Sequence, residues 1–132
     1  MSNQVATLEK SVHILINQYR FQNRLQSLTF DSRISDIARN HSRNMAEKRI
    51  SFGHLNSNVR YQEIDRIIRN NGYKAENVYY CQGMPNPATS ACESWIGSRG
   101  HEKNIRGPYS ITGIGVWWNS YGEYYFTQLF VG

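Results

Sequence analysis

The first two-thirds of the chain repeats apolar residues every three to four positions, a spacing that predicts amphipathic helices. The first helix is predicted from about residue 6 to residue 23. Asp31 can cap a second helix, and a third ends at Asn71-Gly72, where glycine suits a left-handed turn. A fourth helix is predicted over residues 88–96, ending at the sequence Gly97-Ser98-Arg99-Gly100.

The last third of the chain follows a different pattern. Residues 111–118 and 123–131 are rich in branched and aromatic side chains, and turn-forming residues separate them, which predicts a β-hairpin. Gly113 and Gly115 in the first strand indicate that another element approaches closely. A hairpin alone is marginally stable, so Tyr73–Cys81 is the candidate third strand. Helices first and strands last favour the α+β class.

The length and composition indicate one globular domain spanning residues 1–132. Hydrophobic residues make up 39% of the chain, which excludes a disordered composition. No apolar run reaches the roughly 18 residues that a membrane-spanning helix needs. The first residues do not resemble a signal peptide, so a secreted form would carry its signal outside this sequence.

The net charge of +5 and the 13% aromatic content together suggest nucleic-acid binding as one hypothesis. That hypothesis requires arginines to cluster on one face, and the candidates are Arg39, Arg43, Arg60, Arg66 and Arg69. The aromatic residues, however, concentrate in the predicted strands, as sheet-forming residues do. We therefore expect no nucleic-acid partner.

Two of the four histidines are candidates for a functional site. His54 and His101 each follow a glycine just beyond a predicted helix, and Glu76 begins an apolar stretch between them. Two imidazoles and a carboxylate make a plausible zinc site with an open fourth position. The same three residues could instead form a hydrogen-bonded cluster without metal. His41, on the inner stripe of the second helix, is expected to be a hydrogen-bonded core residue.

Five ordered segments resemble the CAP superfamily, which comprises cysteine-rich secretory proteins, insect venom antigen-5 proteins and plant pathogenesis-related class-1 proteins. The segments are Ile50–His54, Ala75–Val78, Trp95–Ile105, Gly113–Val116 and Tyr125–Gln128. The resemblance extends from about Val12 to the C-terminus, and the Ser-x-Gly-His form around His101 is similar to prokaryotic members. It implies an α-β-α sandwich with a small antiparallel sheet between helical layers.

The resemblance also implies a central cleft in which some members bind a divalent metal, often zinc. His54 is similar to the first cleft histidine, Glu76 to the glutamate of the family's Glu-Asn motif, and His101 to the prokaryotic histidine. Asn77, Ser98 and Tyr125 are expected to line this cleft. Tyr125 stands where animal and plant members carry a further histidine, and a phenol is a poor zinc ligand.

Cys81 and Cys92 flank the loop rich in proline and glycine, and a disulfide between them would close a short loop. The family is mostly extracellular, which favours this pairing. The alternative is two separate thiols, with Cys92 in a helix core.

These observations predict a secreted or cell-surface binding module, monomeric, whose cleft takes a divalent metal, a small ligand, a lipid or a peptide. The alternative is a metal-dependent hydrolase, a peptidase or esterase, that uses the same cleft to activate water. Catalysis is the less favoured of the two. Ser98 is expected to be a turn residue and not a nucleophile, because no nucleophile-elbow motif surrounds it.

Overall fold

A computed structural model describes residues 2–132, which form five helices and four strands. In chain order these are α1 Ser2–Gln22, β1 Thr29–Phe30, α2 Ser32–Ala46, α3 Ser57–Ile67, β2 Lys74–Gln82, α4 Pro87–Ile96, α5 Arg99–Ile105, β3 Ile111–Trp118 and β4 Glu123–Val131. Among these residues, no helix combines the length and the apolar character needed to cross a membrane.

The four strands form one sheet in the order β1-β3-β4-β2. The long strands are antiparallel, with β4 in the centre, whereas the short β1 pairs with β3 in parallel. The predicted hairpin is therefore confirmed as β3 and β4, and the segment predicted as its third strand is β2. As a result, β2 is an edge strand.

Helices cover both faces of this sheet. On one face, apolar residues of α1 and α4 pack with the even-numbered residues Phe126 and Phe130 of β4. On the other face, α2 and α3 pack with the odd-numbered residues Leu129 and Val131. This alternation follows from the two-residue period of a strand. The α+β class and the α-β-α sandwich are confirmed.

Helix α2 lies almost directly on the backbone of β3. A Cβ atom built on Gly115 would lie 1.9 Å from the backbone nitrogen of Arg39, and one on Gly113 would lie 2.4 Å from backbone atoms of Ile34 and Ser35. Only glycine permits such an approach at these two positions. The close approach predicted from the two glycines is confirmed.

Side chains occupy the outer edge of β3 beyond the short β1. Ser35 Oγ accepts a hydrogen bond from the Ile114 amide at 2.9 Å, and Glu9 Oε2 accepts one from the Val116 amide at 3.0 Å. Glu9 is buried and is also paired with Arg39 at 2.6 Å. These contacts satisfy strand amides that an open edge would leave available for pairing with another chain.

The structure differs from the predicted helices in three places. Helix α1 begins at Ser2, four residues before the predicted start. Helix α3 ends at Ile67, several residues before Gly72, which nevertheless adopts the expected positive φ of 95°. Helix α5 was not predicted, because Gly97 to Gly100 read as a stop signal. In the structure, Ser98 is the N-cap of that helix, with extended backbone angles.

The predicted disulfide is corrected, because Cys81 and Cys92 are both free and buried. Cys81 is a residue of β2 and belongs to the hydrophobic core, and the Cys92 sulfur faces the carbonyl of Val12 in α1 at 4.0 Å. Burial raises the pKa of both thiols, that of Cys92 to about 12. Both therefore behave as small apolar core residues and are neutral at physiological pH.

We therefore expect two alkylatable thiols per chain after denaturation without reductant. Mass spectrometry after iodoacetamide treatment in guanidinium chloride measures this directly. A reductant should leave the urea unfolding midpoint unchanged, because no cross-link restricts the unfolded chain. A chain that takes up no label until it is reduced would contradict the structure.

Candidate functional site

The predicted site residues gather around the edge strand β2. His54 lies in the segment between α2 and α3, Glu76 lies on β2, and His101 lies on α5. Since α3 and α5 cover opposite faces of the sheet, the two histidines reach this region from opposite sides of the edge strand. Their proximity is reflected in the His101 imidazole, whose pKa is lowered mainly by burial and additionally by His54.

Glu76 is the buried centre of this site, with a side chain only 1% exposed. Arg60 of α3 binds both carboxylate oxygens, through Nε to Oε2 at 2.5 Å and through Nη2 to Oε1 at 2.8 Å. Arg60 is itself buried and donates a further hydrogen bond to the carbonyl of Leu55. This bidentate, charge-assisted geometry fixes the position of the carboxylate.

His54 is oriented by the same carboxylate. Its Nδ1 lies 2.8 Å from Glu76 Oε1, and its side chain is 51% exposed. A carboxylate paired with arginine is ionised and can only accept, so His54 Nδ1 carries a proton. The neutral imidazole then presents the lone pair of Nε2 to solvent.

His101 is held by a separate contact. Its Nδ1 forms a hydrogen bond with Ser98 Oγ at 2.9 Å. The Ser98 hydroxyl is therefore engaged by the imidazole and does not cap the backbone of α5. Within residues 2–132, no hydrogen bond involves Nε2 of either His54 or His101.

Asn77 connects β2 to α5 from beneath the cleft. The fully buried side chain donates from Nδ2 to the carbonyl of His101 at 3.2 Å and accepts from Asn104 at 2.9 Å. Asn77 therefore positions the helix that carries His101, and its own amide does not face a ligand.

The predicted zinc ligand set does not fit this arrangement. Both oxygens of Glu76 are occupied by Arg60, whose fixed positive charge disfavours a cation on the same carboxylate. Among the described residues, no group of three histidine, cysteine or carboxylate side chains is arranged to hold a metal. Of the three predicted ligands, only the two imidazoles retain a free donor atom, and zinc binding at this cleft stays a prediction.

Tyr125, expected to line the cleft, lies further along the sheet than Glu76, with its ring 6.5 Å from that of Phe52. It pairs with Tyr80 on β2, whereas Glu76 pairs with Leu129, a separation of four residues along the strand. Four residues of strand span about 13 Å. The Tyr125 hydroxyl accepts a hydrogen bond from Lys48 at 2.7 Å, next to Glu123.

Arg60 is the site residue that sequence reasoning misassigned, because it was grouped with arginines of a basic surface. The available signal was its spacing from Ile64, which places both side chains on the buried face of α3. Two further arginines of that group are also paired with carboxylates, Arg39 with Glu9 and Arg43 with Glu47. These pairs reduce the positive charge available for nucleic acid.

Three histidines make the stability of the fold depend on pH. Burial lowers the pKa of His13, His41 and His101 below the ordinary value of 6.5. His41 is the most buried of them, and its Nε2 contacts the carbonyl of Gly53 at 2.7 Å, which confirms the predicted core role.

We expect the free energy of unfolding to fall as the pH drops from about 7.5 to 5.5. Below about 6.5 the unfolded chain binds protons that the folded imidazoles do not, so the unfolded state gains stability. Urea titrations across this range measure the slope, and His41→Gln should reduce it. Stability that increases on acidification through this window would contradict the burial of these rings.

A sequence profile of the cysteine-rich secretory protein family matches residues 13–130. The chain belongs to this family, which is the CAP family. The family resemblance seen in the sequence is thereby confirmed over nearly the whole chain.

A curated relative of this CAP chain is the YkwD protein of Bacillus subtilis, which is 32% identical over 130 residues. The alignment covers 97% of this chain but 48% of the relative, so the chain spans about half of that protein's length. The shared part is therefore the CAP domain.

Two solved structures show the same fold. A Bacillus anthracis extracellular protein containing an SCP domain superposes with a TM-score of 0.78 at 23% identity, covering 99% of this chain and 42% of that one. An outer surface protein of Borrelia burgdorferi superposes with a TM-score of 0.79 at 17% identity, covering 95% of this chain and 92% of that one. Both CAP-like proteins are described as extracellular or surface-located.

Proposed function

We propose that this CAP domain is a secreted or cell-surface binding module. Its ligand, a small molecule or a peptide segment, contacts the Nε2 atoms of His54 and His101. The observation that carries this proposal is the pair of imidazoles, each anchored through Nδ1 and each left with a free Nε2.

Anchoring through Nδ1 reduces the cost of binding. Glu76 and Ser98 restrict the two rings before a ligand arrives, so less side-chain entropy is lost on association. His54 is half-exposed, and a lowered pKa keeps His101 neutral at physiological pH. A His54 ring that carries its proton on Nδ1 alone accepts a hydrogen bond at Nε2, which suits a ligand with an N–H or O–H donor.

The location of the similar proteins supports the extracellular part of the proposal. The Bacillus anthracis and Borrelia proteins that share this fold are described as extracellular and outer surface proteins. A fusion of the native coding region to a reporter active only outside the cytoplasm tests secretion. Reporter activity confined to the cytoplasm would overturn it.

Panning of a displayed random peptide library tests the ligand-binding part. The wild-type domain serves as bait, and a His54→Gln/His101→Gln double variant serves as the matched control, because glutamine retains polarity but removes both imidazoles. Peptides recovered on the wild type should bind the double variant at least about tenfold more weakly, the loss of about 1.4 kcal/mol. Equal binding to both proteins would overturn the proposal.

Isothermal titration with zinc chloride tests the metal as a ligand of the same cleft. Two imidazoles alone give fewer protein ligands than the four of structural zinc sites or the three of catalytic ones, so weak binding is expected. Heat that is lost in the double variant would assign the metal to this cleft. Tight binding abolished by Glu76→Gln would show that the carboxylate leaves Arg60.

The metal-dependent hydrolase is less well supported by this geometry. That mechanism needs a carboxylate to bind metal or activate water, and Glu76 has both oxygens occupied by Arg60 and His54. A panel of ester and peptide substrates tests the alternative, with Glu76→Gln as the control. Turnover that depends on both added zinc and Glu76 would favour the enzyme over the binding module.

A further inference from the structure

A cavity lies near the end of α2, next to the segment that carries His54, and its lining includes neither His54 nor His101. Its volume of about 600 Å³ falls within the range of small-molecule sites, roughly 300–1,000 Å³. Its lining includes Lys48, Phe52, Tyr80, Glu123 and Tyr125.

Three aromatic rings form one wall of this cavity. Tyr80 stacks on Tyr125 with ring centres 5.4 Å apart and an interplanar angle of 17°. Phe52 meets Tyr80 edge-on at 5.0 Å. Phe52 is 47% exposed and Tyr80 is 48% exposed, so both rings retain open surface on which a flat apolar group can pack.

Lys48 is held beside these rings by an unusual backbone. It has a positive φ of 62°, and it follows α2 at the position where glycine is most common. Its amide donates to Met45 and that of Arg49 donates to Asn44, the double hydrogen bond that ends many helices.

The Lys48 ammonium has a defined position at the cavity. Its Nζ donates to the Tyr125 hydroxyl at 2.7 Å and to Glu123 Oε1 at 2.9 Å. With three donor hydrogens, the ammonium retains one for a ligand.

The local charge favours an anion. Glu47 is shared between Arg43 and Arg49, at 3.2 Å and 3.0 Å, and Glu123 pairs with Lys48. Three positively charged side chains therefore share two carboxylates in this region, which leaves a local net charge of +1. The whole chain has a net charge of +5.

We propose that this cavity binds an aromatic carboxylate, either free or as the C-terminal residue of a peptide. The ring packs on Phe52 and Tyr80, and the carboxylate accepts from Lys48. Its lining contains neither His54 nor His101, so variants at those two histidines test the function proposed above separately from this site.

NMR titration with phenylacetate tests the proposal, and phenylacetamide serves as the neutral control of the same shape. Phenylacetate should shift the resonances of Phe52, Tyr80 and Tyr125, and the amide should bind about fivefold more weakly, as expected for a partly exposed ion pair. A tripeptide ending in phenylalanine, as free acid and as amide, distinguishes a peptide terminus from a free small molecule. Shifts absent from these residues, or equal affinity for acid and amide, would overturn the proposal.

Three variants distinguish the contribution of the Lys48 charge to probe affinity from the contribution of the aromatic rings. Lys48→Gly removes the ammonium and places in the left-handed turn the residue that prefers it, so the fold is retained. It should reduce phenylacetate affinity about fivefold and leave phenylacetamide unchanged. Phe52→Ala should weaken both probes, whereas Phe21→Ala, which removes an exposed ring from α1, should weaken neither. Phenylacetate binding unaffected by Lys48→Gly would overturn the assigned contact.

Discussion

Gly115→Ala is expected to destabilise the domain by about 3 kcal/mol or more, a large share of the roughly 5–15 kcal/mol that stabilises a typical domain. The added methyl group would lie 1.9 Å from the backbone nitrogen of Arg39, and backbone cannot move aside as a flexible side chain can. Helix α2 would have to shift away from β3. Urea denaturation followed by tryptophan fluorescence measures the loss.

Gly100→Ala is the matched control, because it makes the same chemical change at an exposed helical position. A Cβ at Gly100 has no neighbour within 4 Å, and the residue lies in α5. This variant should be as stable as the wild type or more stable by about 0.5 kcal/mol. Similar losses in both variants would show that α2 does not pack on β3 as described.

Glu76→Ala is expected to cost about 3–5 kcal/mol, because it leaves the Arg60 guanidinium buried without a counter-charge. The two side chains are 1% and 8% exposed, so solvent cannot replace the lost partner. The same change also releases His54 from its anchor. Chemical denaturation gives the stability, and the exchange broadening of the His54 ring resonances reports the release.

The double variant Arg60→Met/Glu76→Leu distinguishes the stability cost of losing the whole ion pair from the cost of losing one partner. Removing both charges leaves no unpaired buried ion, so the double variant should be more stable than Glu76→Ala. The single variants Arg60→Met and Glu76→Leu complete a double-mutant cycle, and losses that simply add in this cycle would contradict the direct contact between Arg60 and Glu76.

The fold followed from the sequence where the signal was local. Branched and aromatic residues on either side of a turn identified β3 and β4, and Gly113 and Gly115 indicated the close approach of another element, which is α2. Helix α5 was missed because Ser98 and Gly100 are turn residues in isolation, and the helix depends on contacts with Asn77 on a distant strand.

The site was predicted only in part. His54, Glu76 and His101 are brought to one region, as the family resemblance implied. The role of Glu76 could not be read from spacing, because its partner Arg60 belongs to a helix that reaches it only through the tertiary fold. The prediction of a disulfide was wrong for the same reason, because the tertiary fold determines where Cys81 and Cys92 are buried.

The free Nε2 of His54 is the feature on which the proposed function depends most, and long-range ¹H–¹⁵N spectroscopy of the imidazoles tests it directly. In the wild type at neutral pH, the neutral His54 ring should carry its proton on Nδ1 and leave Nε2 unprotonated. In Glu76→Gln this preference should weaken, because the carboxylate that selects the tautomer is gone. A neutral His54 protonated on Nε2 in the wild type would contradict the arrangement.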